Sequence, residues 1–121
     1  GQDNHAEAVT LIGDVTGRDV IVVDDEIDTG GSTAEAVKLV CKLGARNVYL
    51  LCVHPVFSGD AIQRLAALPI TELITTNTIP IAADRQALFG GRLTVLSIAP
   101  LLGEVICRAH EGRSVGEMFD E

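Results

Sequence analysis

Two unbroken aliphatic runs constrain this chain more than any other feature. They are DVIVV at residues 19–23 and NVYLLCV at residues 47–53. Neither alternates with polar residues, so each reads as a strand covered on both faces. Such strands belong to parallel sheets flanked by helices. Residues 32–43 between them read as a helix. Ala36, Leu39, Val40 and Leu43 form its apolar stripe, with Glu35, Lys38 and Lys42 off it. Gly44 suits its C-terminal cap.

The same alternation continues along the chain. Residues 8–13 (AVTLIG) read as a further strand, turned by DVTG into residues 19–23. Ser58 suits the cap of a short helix containing Ile62, Leu65 and Ala66, stopped by Pro69. Residues 70–75 and 93–98 read as strands, with TNTIP as a loop between them. Pro100 suits the first turn of a last helix that reaches about His110, carrying Leu102, Val105, Ile106 and Ala109 on one face. The expected fold class is α/β, a mainly parallel sheet flanked by helices.

The 121 residues suit one domain, and at 47% hydrophobic with only 3% aromatic residues its core must be aliphatic. A net charge of −8 argues against nucleic-acid binding. No apolar run approaches the ~18 residues of a membrane span, and there is no signal peptide pattern. A cytoplasmic location is expected, with Cys41, Cys52 and Cys107 as buried free thiols. The polar start GQDNHAEA leads directly into a strand and reads as a cut inside a longer chain.

The chemistry concentrates in VIVVDDEIDTGGST. Asp24, Asp25, Glu26 and Asp28 fall together with no Lys or Arg among them, and a glycine turn follows. In open α/β sheets, ligands bind beyond the C-terminal ends of strands, where Asp24 and Asp25 are expected. Gly30 and Gly31 let the backbone approach a ligand closely. Ser32 or Thr33 then opens a helix whose free N–H groups suit a phosphate monoester, with the Thr29 and Ser32 hydroxyls as further donors. Carboxylates accept hydrogen bonds from sugar hydroxyls, and Mg²⁺ relieves their mutual repulsion. Adjacent side chains on a strand face opposite ways, so both aspartates serve one ligand only if the strand ends or twists there.

Other readings compete. Asp24, Glu26, Asp28 and Glu35 fall at EF-hand ligand spacing, but Thr29 stands where that loop needs glycine, and the lead-in is a strand. A P-loop is excluded because no Gly-Lys-Ser/Thr follows. The bland alternative is a strand–turn–helix with a solvated acidic cap.

VIVVDDEIDTGGS closely resembles the phosphoribosyl-pyrophosphate loop of type I phosphoribosyltransferases and their relatives. Asp28 narrows the resemblance to the ribose-phosphate pyrophosphokinase family, with its Asp-Asp-x-x-Asp-Thr-x-Gly-Thr. LIGDVTGRDVIVVDD, VHPVFSGDAIQRL, TTNTIP and LTVLSIAPLLGEVICRAHEGRSVGEMF resemble that family in the same order, across nearly the whole chain. The resemblance implies a phosphoribosyltransferase-like fold and transfer of the pyrophosphoryl group of ATP to the 1-hydroxyl of ribose 5-phosphate, with Mg²⁺. It implies that Asp24 and Asp25 hold the ribose hydroxyls, directly or through metal-bound water. Asp28, Thr29, Gly30, Gly31 and Ser32 would cradle the 5′-phosphate.

It further implies that residues 1–121 are the C-terminal domain of a two-domain chain that forms a homo-oligomer. The other domain would supply the ATP pocket, and a Lys-x-Arg loop would lie upstream of LIGDV. No catalytic side chain is expected in these residues. The tail around Ser114 and Phe119 corresponds to a regulatory phosphate or ADP region, although Ser114 and Glu117 also fit a capping box. Departures are Ser32 for Thr, Pro55 for Gly after His54, Gly116 for Ser in the tail, and the additional charge of Glu26. His54 reads as ordering a loop, and His110 as a favourable charge at a helix C-terminus. A non-catalytic regulatory relative and a type I phosphoribosyltransferase proper are the alternative functions.

Overall fold

The computed structural model describes residues 11–119. Four strands form one parallel sheet in sequential order: β1 (Asp19–Ile27), β2 (Asn47–Pro55), β3 (Glu72–Thr76) and β4 (Leu93–Leu96). The connections carry α1 (Gly31–Lys42), α2 (Ala61–Ala66) and α3 (Ala83–Gln86), the last running into a 3₁₀ turn at Ala87–Phe89. Helix α4 (Ala99–Glu111) and a closing 3₁₀ turn at Gly116–Met118 follow. The α/β parallel sheet expected from the aliphatic runs is therefore present. Residues 8–10 of the strand expected at 8–13 lie outside the described residues, and residues 11–13 are not in a strand.

One sheet face carries the core. Val48, Leu50 and Cys52 of β2 and Leu73 and Thr75 of β3 are buried there, with Val20 and Val22 of β1 half-buried beside them. Ala34, Val37 and Val40 of α1, Ile62 and Leu65 of α2, Phe57 and Phe89 complete it. Each fully buried Val, Leu, Ile or Phe among them contributes about 1.5–3 kcal/mol by leaving water. The buried face of α1 is Thr33, Ala34, Val37 and Val40, rotated from the expected stripe. Leu43 is instead the exposed C-cap residue, while Ala36 and Leu39 lie half-buried on the flank. Helix α1 starts after a loop of three residues beyond β1, and its first turn buries Thr33 and Ala34.

The opposite face is open among the described residues. Ile21 and Val23 are 62% and 67% exposed there, and no residue of α4 is buried. The face expected on α4 exists in sequence but is uncovered, with Leu102 and Ile106 exposed. For the same reason Cys107 is exposed, against expectation; Cys41 is half-buried and only Cys52 is buried. Ser58 does not cap α2. Its carbonyl accepts the Ala61 N–H, and Asp60 holds the N-cap position without a side-chain cap bond. No helix among the described residues is long and apolar enough to cross a membrane.

The entry into the sheet is fixed by charge. Asp19 accepts two bonds from the Arg46 guanidinium, both 2.9 Å, and one from Asn47 Nδ2 at 2.9 Å. These bonds, those of Arg46 first, lower the Asp19 carboxyl to about 2. A carboxyl lowered on folding stabilises the fold above its ordinary range, and that contribution is lost as pH falls through about 2. In an NMR titration of the carboxyl carbons, Arg46→Ala should return the Asp19 midpoint toward about 3.9. An unmoved midpoint would contradict the assignment of cause.

Candidate functional site

The site is built at the C-terminal ends of β1 and β2. The strand was expected to end at Asp24 and Asp25. It runs on to Ile27, because β2 continues alongside and pairs Glu26 with His54 and Ile27 with Pro55. Asp24 lies half-buried on the core side with Val20 and Val22, and Asp25 is exposed. The alternation then slips, since Glu26 is exposed and Ile27 is fully buried. Asp24 Oδ2 accepts the Thr33 hydroxyl at 3.4 Å, and Oδ1 accepts the Glu26 N–H at 3.3 Å. Asp24 thus ties the strand to the first turn of α1, a link through Thr33 that the sequence reading did not include.

Asp28 and Thr29 are exposed on the loop, Gly30 is buried beneath it, and Ser32 is exposed on the first turn of α1. The helix opens at Gly31 rather than at Ser32 or Thr33, with Gly30 as N-cap at φ +81° and no side-chain cap. A left-handed residue there turns the chain at once from strand into helix, which is why glycine is needed.

The hydrogen bonds of the loop carbonyls define its polarity. Ile27 O accepts the Phe57 N–H at 3.0 Å, Asp28 O accepts the Ser58 N–H at 2.9 Å, and Thr29 O accepts Arg64 Nη1. Gly30 O accepts the Ala34 N–H at 2.9 Å. In a planar trans peptide the carbonyl and the following N–H point in opposite directions. The N–H groups after these carbonyls therefore point away from residues 57–64. Among the described residues, none of the N–H groups of residues 29–33 donates to a protein acceptor. Together with the positive end of α1, amides left without a protein acceptor are the donors that suit an anion. Phe57, which holds Ile27 O, is buried at φ +51°, a strained conformation for an aromatic residue that its packing must enforce.

Asp24 meets the first turn of α1 through Thr33, whereas Asp25, the next residue of a strand that continues to Ile27, is exposed; the strand does not end between them to turn both toward one ligand. Among the described residues no group of three or more His, Cys, Asp or Glu is gathered for a metal. Asp24 and Asp25 offer hard oxygens, and among the described residues those of Asp24 are engaged only by the long 3.3 and 3.4 Å bonds. That set fits Mg²⁺ retaining most of its waters and is too small to enclose a cation.

Residues 3–120 match the phosphoribosyl synthetase-associated domain. The chain belongs to this family. It is 49% identical over 117 residues to a ribose-phosphate pyrophosphokinase of Nostoc sp., covering 96% of this chain and 34% of that protein. It is 43% identical over 117 residues to a ribose-phosphate pyrophosphokinase of Deinococcus radiodurans, covering 97% of this chain and 37% of the relative. The crystal structure of phosphoribosylpyrophosphate synthetase from Mycobacterium smegmatis matches with a TM-score of 0.77 and 46% identity, over 84% of this chain and 33% of that one. The chain thus spans 28–37% of the length of curated relatives that it matches.

In this phosphoribosyl synthetase-associated domain the other residues singled out from sequence fall into two groups. His54 Nδ1 pairs with Thr78 Oγ1 at 3.0 Å, while the Thr76 and Thr78 hydroxyls donate to Val53 O at 2.6 and 3.1 Å. His54 thereby ties β2 to the TNTIP loop. Pro55 is buried behind it. The tail lies apart. The Ser114–Glu117 capping box does not form: Val115 is the N-cap without a side-chain bond, and Glu117 instead lies 3.7 Å from Arg108. Ser114 O accepts Arg108 Nη1 at 3.0 Å, and Phe119 is exposed. Arg108 also reaches Glu104 at 2.8 Å, so the tail is organised by arginine rather than by its own cap.

Proposed function

We propose that this chain provides the ribose 5-phosphate site of a ribose-phosphate pyrophosphokinase. The observation that carries the reading is the set of N–H groups at residues 29–33 without a protein acceptor among the described residues, those of Thr29 and Gly30 aimed away from residues 57–64, with Asp24 bonded to Thr33 alongside. Asp28, Thr29, Gly30, Gly31 and Ser32 hold the 5′-phosphate through backbone amides and hydroxyls. Asp24 and Asp25 accept from the ribose hydroxyls. These interactions hold the 1-hydroxyl in place to take the pyrophosphoryl group of ATP, and AMP leaves. Positioning and charge neutralisation suffice for such a transfer, and no side chain of this chain acts as nucleophile.

Mg²⁺, held through water by Asp24 and Asp25, would neutralise phosphate charge during transfer. ATP is bound mainly by the remainder of a longer two-domain chain, and the protein works as a homo-oligomer in the cytoplasm. Ser114 and Phe119 belong to a regulatory tail. The names and partial coverage of the relatives support this division of labour.

Calorimetry of residues 1–121 with ribose 5-phosphate, with and without Mg²⁺, tests it. Binding should strengthen with Mg²⁺, weaken in Asp25→Ala and vanish with unphosphorylated ribose. No AMP should form when ATP is added. An absence of heat at millimolar ribose 5-phosphate would remove the site. AMP production by these residues alone would overturn the division between two domains.

A further inference from the structure

We propose that Arg64 is a positioning residue for the phosphate, and the proposal rests on the ribose 5-phosphate reading above. Its guanidinium holds the carbonyl of the Thr29–Gly30 peptide and so directs the Gly30 N–H toward the ligand. The bond from Arg64 Nη1 to Thr29 O spans 35 positions in sequence. It depends on α2 lying directly under the loop. Ile62 and Leu65 are fully buried, and a Cβ on Gly30 would stand 3.4 Å from Leu65 Cδ2. Arg64, one residue earlier, is exposed, and its guanidinium reaches the loop.

Two features set this bond apart from an ordinary exposed arginine contact. First, three consecutive carbonyls are held by residues 57–64, two of them by backbone N–H groups. The third depends on a side chain, so only that one can be removed by substitution without altering the backbone. Second, among the described residues Arg64 is the one cationic side chain bonded to residues 24–33, a segment that carries Asp24, Asp25, Glu26 and Asp28. A phosphate dianion entering this acidic surround needs amide dipoles that are already aligned and a positive charge behind them. Arg64 provides both through one contact.

The experiment uses residues 1–121 as the unaltered chain, Arg64→Ala and Arg64→Lys. Affinity for ribose 5-phosphate is measured by calorimetry, and the amides of residues 29–33 are followed by NMR as inorganic phosphate is added. Arg64→Ala should weaken ribose 5-phosphate by about ten- to hundredfold. The phosphate-induced shift of the Gly30 amide should shrink, while that of Thr33, whose peptide Arg64 does not touch, persists. Arg64→Lys retains the charge without the planar fork and should recover part of the affinity. Arg64 is exposed, so the thermal midpoint should change little in either variant. Equal affinity and equal Gly30 shifts in all three proteins would overturn the role of Arg64 and leave the site standing. Failure of the unaltered chain to bind would overturn the ribose 5-phosphate reading and this proposal with it.

Discussion

Gly30→Val is expected to abolish the proposed ribose 5-phosphate binding and to lower stability by about 3 kcal/mol. The loss has two sources. A left-handed backbone costs a residue with a side chain about 1–2 kcal/mol, and more for a β-branched one. Valine also adds methyl groups where Leu65 and Ile27 already stand 3.4 and 3.8 Å from an added Cβ. Overpacking of this kind typically adds about 1–3 kcal/mol. If the backbone relaxes to avoid the strain, the Thr29–Gly30 peptide rotates and the row of outward N–H groups is broken. Gly30→Ala isolates the first source, since its Cβ meets those side chains at ordinary contact distance, and should cost about 1–2 kcal/mol. Urea denaturation and calorimetry on the two variants measure both effects. A valine variant with native stability and affinity would show that the left-handed turn is dispensable.

Arg92→Ala is expected to destabilise the fold by about 3 kcal/mol and to leave the proposed binding of ribose 5-phosphate by the folded molecules unchanged. The half-buried guanidinium serves four carbonyls. Nη2 donates to Ala66 O at 2.7 Å, Nη1 to Leu68 O and Ile70 O at 3.3 Å each, and Nε to Phe89 O at 3.1 Å. One side chain thereby joins the end of α2, the approach to β3 and the 3₁₀ turn before β4. Truncation leaves these acceptors short of donors, at roughly 1 kcal/mol for each well-made bond, and removes the packing of the stem. Affinity is spared because Arg92 precedes β4, at the opposite end of a parallel sheet from residues 28–31. Arg92→Lys, with a single ammonium in place of a fork, should recover only a smaller part. Chemical denaturation of the three proteins tests this, and an Arg92→Ala midpoint equal to the parent would refute it.

Much of the fold was legible because β-branched runs have few alternatives. The strands at residues 19–23 and 47–53 were marked by unbroken apolar runs, and Pro100 marked the start of α4. The end of β1 was not legible. Its acidic residues have little strand propensity, but a neighbouring strand that runs to Pro55 extends the ladder through them. The burial of α1 also depended on its neighbours, because a stripe read without Val37 misses the residue most deeply packed on that helix. Helix α3 is only four residues long, too short to show a period.

At the site, the residue types of the loop were readable but its direction was not. Arg64 and the backbone of Phe57 and Ser58 act on carbonyls, which every residue possesses and no motif records. In sequence, Gln63 and Arg64 look like the wet side of a short helix. Thr33 likewise looked like an alternative helix start until its hydroxyl was found on Asp24.

Three carbonyls anchored from a segment some thirty positions downstream also bear on how far this loop is portable. Residues 24–33 grafted onto another parallel sheet would carry their acids and glycines with them. Without a counterpart of residues 57–64 the grafted peptides would be free to flip, and the cradle would present carbonyl oxygens to a phosphate as readily as amides. The transplantable unit is the pair of segments, and a donor scaffold should be chosen for the backing it offers rather than for its strand and helix alone.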